Sequence, residues 1–355
     1  MRGQLLMLGV AGPILSSAEA AFYRRIQPSG FILFSRNIVD ARQTRRLTDE
    51  LRSLLPYEVI IAIDQEGGRV SRTKDIAPAC PSAVDLAATR NPLLIAQAGS
   101  LTADMLRLLG CNLNFAPVLD IDHFPGLQNA LRERCWGDDP QKIINHAGMW
   151  NRWMRKRGLL SCAKHFPSCG IATSDPHHDL PVAQVDIATL LKNDILPYTA
   201  LMPELDAVMT SHVRFPLIDG EHPASLSGKI INGFLRNQLG FDHHLVITDD
   251  LDMSAISKAY GRGSDVSQAI RAGNDLALIC HQIDSADKAL EALQDLPLLI
   301  VDDALNRIER FRKKLHAPLD WSEEKWQATC GDIVKLRAEV PPASELQANS
   351  PVADY

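Results

Sequence analysis

Short apolar runs rich in Val, Ile and Leu alternate along the chain with longer stretches in which apolar residues return every three or four positions. The first pattern is that of strands buried on both faces, and the second that of helices packing one stripe against a sheet. Eight runs read as strands, at 4–10, 30–35, 59–64, 113–121, 159–166, 207–213, 244–250 and 276–281. Helices are predicted at 18–27, 40–55, 93–109, 141–157, 187–202, 229–239, 266–272, 286–293 and 302–315. Gly110, Gly158 and Gly240 stand directly after three of them, where a residue tolerant of left-handed backbone stops a helix. Eight strands each followed by a helix close an α/β barrel more naturally than they build an open sheet. A single-domain (β/α)8 TIM barrel over 1–317 is therefore expected, with a doubly wound sheet and a small extra domain as the alternative. Residues 318–355 are expected to form a partly disordered C-terminal extension, with the Pro-, Ala- and Ser-rich 341–355 as a mobile tail.

Composition changes the picture in three ways. Hydrophobic residues make up 46% of the chain and charged ones 23%, which supplies a large core and excludes a chain disordered throughout. A formal net charge of −6 speaks against nucleic acid or an anionic membrane as partner, since both need a clustered basic surface, and favours a neutral or small-molecule substrate. The seven cysteines include no CxxC pair and cannot all pair within one chain, so a reducing, cytoplasmic location is expected. The first ten residues and Ala18-Glu19-Ala20 have the outline of a secretory leader, but Gly12-Pro13 interrupts the short apolar run, which reads better as the first strand. No run of about eighteen apolar residues occurs, so no spanning helix is expected.

In a barrel of this kind chemistry sits at the carboxyl ends of the strands. Polar residues end five of the runs: Asp64, Asp120, Lys164-His165, Ser211-His212 and Thr248-Asp249-Asp250. Alternation along a strand turns one of Asp249 and Asp250 toward the mouth without saying which, and capping of the next helix is the other reading of the pair. After the fifth strand, Asp175 and His177 are separated by one residue. The carboxylate can hold one imidazole nitrogen and leave the other to exchange a proton. Metal binding by Asp175, His177, His178 and Asp179 is disfavoured, because adjacent residues rarely share an ion and no zinc-type spacing is present. A solvated loop without chemistry is the bland alternative.

The motifs, in order, are Gly30-Phe31-Ile32-Leu33-Phe34-Ser35-Arg36-Asn37, Ile63-Asp64-Gln65-Glu66-Gly67-Gly68-Arg69-Val70-Ser71-Arg72, Asn114-Phe115-Ala116-Pro117-Val118-Leu119-Asp120 and Arg134-Cys135-Trp136-Gly137. Lys164-His165-Phe166-Pro167, Asp175-Pro176-His177, Pro223-Ala224-Ser225-Leu226-Ser227 and Thr248-Asp249-Asp250-Leu251-Asp252-Met253 follow. Together they resemble the glycoside hydrolase family 3 β-N-acetylglucosaminidases of bacterial cell-wall recycling, in their single-barrel form, over nearly the whole chain to about residue 315. The resemblance implies a retaining exo-glycosidase that removes terminal β-linked N-acetylglucosamine from muropeptide-type saccharides without metal or organic cofactor. It assigns the nucleophile to Asp249, the acid/base to His177 with Asp175 as its partner, and sugar contacts to Asp64, Arg72, Arg134, Lys164 and His165. Phosphorolysis, another family 3 exo-β-glycosidase specificity and a non-catalytic sugar-binding protein are the alternatives. The chain also departs from the family pattern. Ser168-Cys169-Gly170 stands where Gly-His-Gly is usual, Pro176 replaces a Ser between Asp175 and His177, and Leu131-Arg132 replaces an aliphatic residue followed by Gly.

Overall fold

All eight predicted runs form parallel strands in a computed structural model, which describes residues 1–124, 130–172 and 180–343. They are β1 (Leu6–Gly9), β2 (Gly30–Leu33), β3 (Ile60–Ile63), β4 (Leu113–Asn114), β5 (Leu160–Phe166), β6 (Ala207–Thr210), β7 (Leu245–Thr248) and β8 (Ala277–Ile279). Their order around the sheet is β8-β1-β2-β3-β4-β5-β6-β7. The ring closes where Ile247 of β7 bridges Leu276, just before β8, and Thr248 N–H donates to the Leu276 carbonyl at 3.0 Å. The chain is thus a single-domain (β/α)8 barrel, and the open-sheet alternative falls away. Every strand residue is buried, which is why the runs are apolar throughout rather than alternating.

The helices start and stop where local chemistry says they should. Ser16, Asp40, Asn91, Asp139 and Asp186 each accept a backbone N–H of the first turn they precede, satisfying a donor that has no partner within the helix. Gly110 and Gly158 take φ of +90° and +82° directly past two helix ends. The helix expected over 187–202 is broken into Ile187–Lys192 and Leu196–Leu201, because Pro197 has no N–H to continue the ladder and instead occupies the first turn of the second piece. The helix Lys229–Gln238 is wound as a π-helix, with Gly233 N–H reaching back to the Gly228 carbonyl.

Among the described residues, three α-helices lie outside the predicted set: Ala83–Ala88, Ser254–Ser257 and Glu323–Glu339. The last lies in the C-terminal extension, where only Trp326, Ile333 and Leu336 are buried, a stripe too narrow to stand out as a period. It packs against Pro92–Leu108, and beyond it Ala343 N–H donates to Asp85 Oδ1 at 2.7 Å. The expected tail at 344–355 falls outside the described residues.

Candidate active site

Strand ends β3, β4, β5 and β7 deliver the functional side chains to one cavity, open at its mouth. From β3 the chain runs through Asp64 into a two-stranded hairpin, Gln65–Gly67 paired with Val70–Ser71, which brings Arg72 back beside Asp64. Side-chain amides hold this turn. Gln65 Nε2 donates to Ser71 Oγ at 2.8 Å, Arg72 N–H donates to Gln65 Oε1 at 3.0 Å, and Asn114 of β4 exchanges two bonds with the Gln65 backbone. In β5 the register against β6 slips between Ala163 and Phe166. Lys164 and His165, joined by a cis peptide bond, both line the cavity, although neighbours on a regular strand would point to opposite faces.

The polar residues are knit into one network. Lys164 Nζ lies 2.6 Å from Asp64 Oδ1 and 2.7 Å from Glu66 Oε1. Arg134 grips Glu66 with both prongs, at 2.8 and 2.9 Å, and donates a third bond to the Ala130 carbonyl at 2.9 Å. Arg72 stands 3.4 Å from Asp64 Oδ2. Burial alone would push the Glu66 carboxyl up, but Arg134 and Lys164 hold it well below the usual carboxylate range. Lys164 behaves in the mirror sense: burial pulls it down, and Asp64 and Glu66 raise it above the ordinary lysine value. Glu66 is buried at 9% exposure and was missed as a site residue, though two-residue alternation after Asp64 placed it on the same side of the strand.

His165 Nδ1 lies 2.7 Å from Asp120 Oδ2. An ionised carboxylate only accepts, so that ring nitrogen carries the hydrogen. Asp120 also accepts the backbone N–H of His165 at 3.1 Å and of Cys169 at 2.6 Å, fixing the start of the loop after β5. Among the described residues, Asp120, His165 and Cys169 are the group whose ligand-type atoms, one from each, all lie within 4.8 Å of one another. Burial, with Asp120 and Asp249 close by, pushes the Cys169 thiol well above its usual range.

Asp249 and Asp250 both line the cavity, where alternation had allowed only one to face the mouth. Their surroundings separate them. Asp249 Oδ1 accepts the Asp250 N–H at 2.8 Å. Burial raises this carboxyl, but His165 and His212, with that N–H and Lys164, bring it below its ordinary value, so it is ionised. Asp250 is 6% exposed; its Oδ1 accepts N–H groups of Asp252 at 3.0 Å and Cys280 at 3.2 Å, and its Oδ2 lies 3.6 Å from His281 Nε2. Burial and the neighbouring Asp252 and Asp249 drive it upward, toward the protonated form. His212 bridges the two strand ends, pairing with Ser225 Oγ at 2.7 Å and the Asp250 carbonyl at 2.8 Å.

Of the predicted site residues, Asp64, Arg72, Arg134, Lys164, His165 and Asp249 converge on this cavity. Asp175 and His177 lie outside the described residues. Ala172, five positions before His177, lines the cavity.

Residues 2–311 match the family described as the glycosyl hydrolase family 3 N terminal domain. A β-hexosaminidase of Pseudomonas aeruginosa is 33% identical over 328 residues, 92% of this chain and 96% of its own length. A glycoside hydrolase family 3 β-N-acetylglucosaminidase from Paenibacillus sp. str. FPU-7 superposes with a TM-score of 0.85 at 31% identity, covering 94% of this chain and 68% of that one. NagZ from Neisseria gonorrhoeae superposes with a TM-score of 0.80 at 27% identity over 95% of this chain and 98% of its own. That protein has also been solved in complex with N-trifluoroacetyl-D-glucosamine.

Proposed function

The chain belongs to glycosyl hydrolase family 3 and is a glycoside hydrolase, and from that premise we propose that it is a retaining exo-β-N-acetylglucosaminidase, acting on terminal β-linked N-acetylglucosamine of muropeptide-type saccharides. The observation that carries this reading is the convergence of Asp249 with Lys164, Arg72 and Asp64 on one cavity at the carboxyl ends of the strands. Asp249 attacks the anomeric carbon and forms a glycosyl ester as the bond to the leaving oxygen breaks. His177, oriented by Asp175, protonates that oxygen and then takes a proton from the water that cleaves the ester. Two inversions at one carbon return the β-anomer.

The bound sugar is held by donors already in place. Lys164 has three N–H groups and uses two on Asp64 and Glu66, which leaves one for a hydroxyl. Asp64, Arg72, Arg134 and His165 supply the remaining contacts, and hydrogen bonds that tighten as the ring flattens favour the oxocarbenium-like state. All seven cysteines are unpaired, which fits a reducing compartment such as the cytoplasm. No described helix is long and apolar enough to cross a membrane.

The test is hydrolysis of an aryl N-acetyl-β-glucosaminide, with the product followed by proton NMR from the first turnover. The β-anomer should appear first and mutarotate later. Initial release of the α-anomer, release of a sugar phosphate in phosphate buffer, or faster cleavage of a β-glucoside or β-xyloside each contradicts a defined part of the proposal.

A further inference from the structure

Cys169 is a position at which this chain departs from the family pattern, and it faces the cavity beside two other ligand-type side chains that the reaction above uses only as hydrogen-bonding groups. We propose that Asp120, His165 and Cys169 form a binding site for a thiophilic divalent cation at the floor of the cavity, and that an ion held there excludes the sugar. The first half stands on geometry alone. The second half rests on the glycosidase reading.

One ligand atom from each residue lies within 4.8 Å of the other two, and Asp120 Oδ2 and His165 Nδ1 are 2.7 Å apart. A tetrahedral ion with bonds of about 2.0 Å to nitrogen or oxygen and about 2.3 Å to sulfur sets its ligand atoms roughly 3.3–3.6 Å apart. The carboxylate and imidazole must part slightly and the thiol must close in, both within reach of side-chain rotation. The frame that carries them is stiff. Asp120 is fixed by backbone N–H groups of both other members, His165 at 3.1 Å and Cys169 at 2.6 Å, so the three keep their spacing without an ion.

Asp120 and His165 are buried, at 2% and 6% exposure, while Cys169 is partly open toward the cavity. The ion therefore has an entry path and one coordination position left for solvent, in the space a sugar would fill. Charge favours it too. The nearby cations Lys164 and Arg134 are already matched by Asp64 and Glu66, whereas Asp249 lines the same cavity as His165 and Cys169. A carboxylate, an imidazole and a thiol select a soft or borderline ion over Mg²⁺ or Ca²⁺, which take oxygen ligands. On binding, the thiol releases its proton to solvent and the His165 ring changes tautomer, the Nδ1 proton passing by way of solvent to Nε2, so that a sulfur and a nitrogen lone pair turn to the metal; no electron is transferred.

The test uses the full chain carrying Cys330→Ser, which removes the other partly exposed thiol. Titration with Cd²⁺ should give one equivalent bound, with a thiolate-to-Cd²⁺ charge-transfer band. Adding Cys169→Ser should abolish the band and weaken binding by on the order of 10²-fold. Equal binding by the two proteins overturns the proposal and moves the ion to another part of the chain. Should Cys169→Ser misfold by circular dichroism, X-ray absorption on the Cys330→Ser protein decides, one sulfur with nitrogen and oxygen neighbours supporting the site and a shell without sulfur overturning it. Loss of aryl N-acetyl-β-glucosaminide hydrolysis at one equivalent of Cd²⁺, restored by EDTA, supports the exclusion. Retained turnover with the band present overturns that half. Absence of turnover before any Cd²⁺ is added defeats the glycosidase reading, while the absorption band still judges the metal site.

Discussion

Two sides of one cavity hold their carboxylates in opposite ways. At the ends of β3 to β5, Asp64 and Glu66 meet Lys164 and Arg134 at 2.6–2.8 Å, and Glu66 stays ionised although it is buried. At the ends of β7 and β8, Asp250 is buried to a similar degree, but backbone N–H groups hold its Oδ1, His281 Nε2 stands 3.6 Å from its Oδ2 and two further carboxylates face it, and its affinity for a proton rises. Burial is common to both, so the partner and not the burial decides which form each acid takes. Asp249 belongs by position to the second side and by electrostatics to the first, because the fields of His165, His212 and Lys164 reach it. The two adjacent aspartates, which the sequence leaves equivalent, are thus shifted in opposite directions, Asp249 toward the ionised form and Asp250 toward the protonated one.

The largest test of this division is Asp249→Asn. Removing the Asp249 carboxylate should lower kcat for an aryl N-acetyl-β-glucosaminide by on the order of 10⁴ or more. Turnover near that of the unsubstituted protein would transfer the attack to Asp250 and reverse the comparison. Neither side supplies the proton for the leaving oxygen, which the proposal gives to His177. His177→Ala should cost on the order of 10²–10⁴ in kcat/KM with a poorly leaving alcohol and much less with an activated phenol, which needs little protonation. Equal losses across a series of leaving groups would remove His177 from that role.

Glu66→Gln tests the paired side. Taking one partner from a buried ion network leaves Lys164 and Arg134 short of compensation, and the expected loss is roughly 3–5 kcal/mol, read from urea unfolding at neutral pH. A loss below about 1 kcal/mol would show the network to be no better than a surface pair. Its pH dependence has a definite sign. The folded-state affinity of Glu66 for protons is lowered, so its stabilising contribution is present above the unfolded titration and disappears as pH falls through the folded one. The advantage of the natural protein over Glu66→Gln should therefore shrink in acid.

Periodicity was enough to place all eight strands and the barrel, because strands buried on both faces must be apolar whatever their neighbours. It failed where one residue overrides a period, as Pro197 does in splitting a helix, and where the buried stripe is thin, as in Glu323–Glu339. The site was legible to the same extent. Polar residues ending strands identified Asp64, Lys164, His165 and the Asp249-Asp250 pair, since an apolar run that stops on a charge must bring it to the rim. Arg72 and Arg134 came from the resemblance alone, and Glu66 was passed over because its meaning depends on Arg134, 68 positions away, a pairing no local pattern contains. The slip of β5 against β6 is likewise a property of the closed sheet and not of the run that forms the strand.

Asp250→Asn carries the smallest expected effect and sharpens the comparison most. The Asp250 carboxyl is raised in the fold by burial and by Asp252 and Asp249, so its contribution to stability is fully present below the unfolded titration and is lost as pH rises through the folded one, the reverse of Glu66. An uncharged side chain of the same shape escapes that loss. In acid the variant should lie within about 1 kcal/mol of the natural protein, since both side chains are neutral and Oδ1 keeps its two N–H donors. As pH rises toward the alkaline range, the melting temperature of the natural protein should fall relative to that of the variant. A difference that stays flat from acid to alkali would mean that Asp250 is ionised in the fold throughout. Two adjacent anions would then sit at the end of β7, and no electrostatic ground would remain for choosing Asp249 between them.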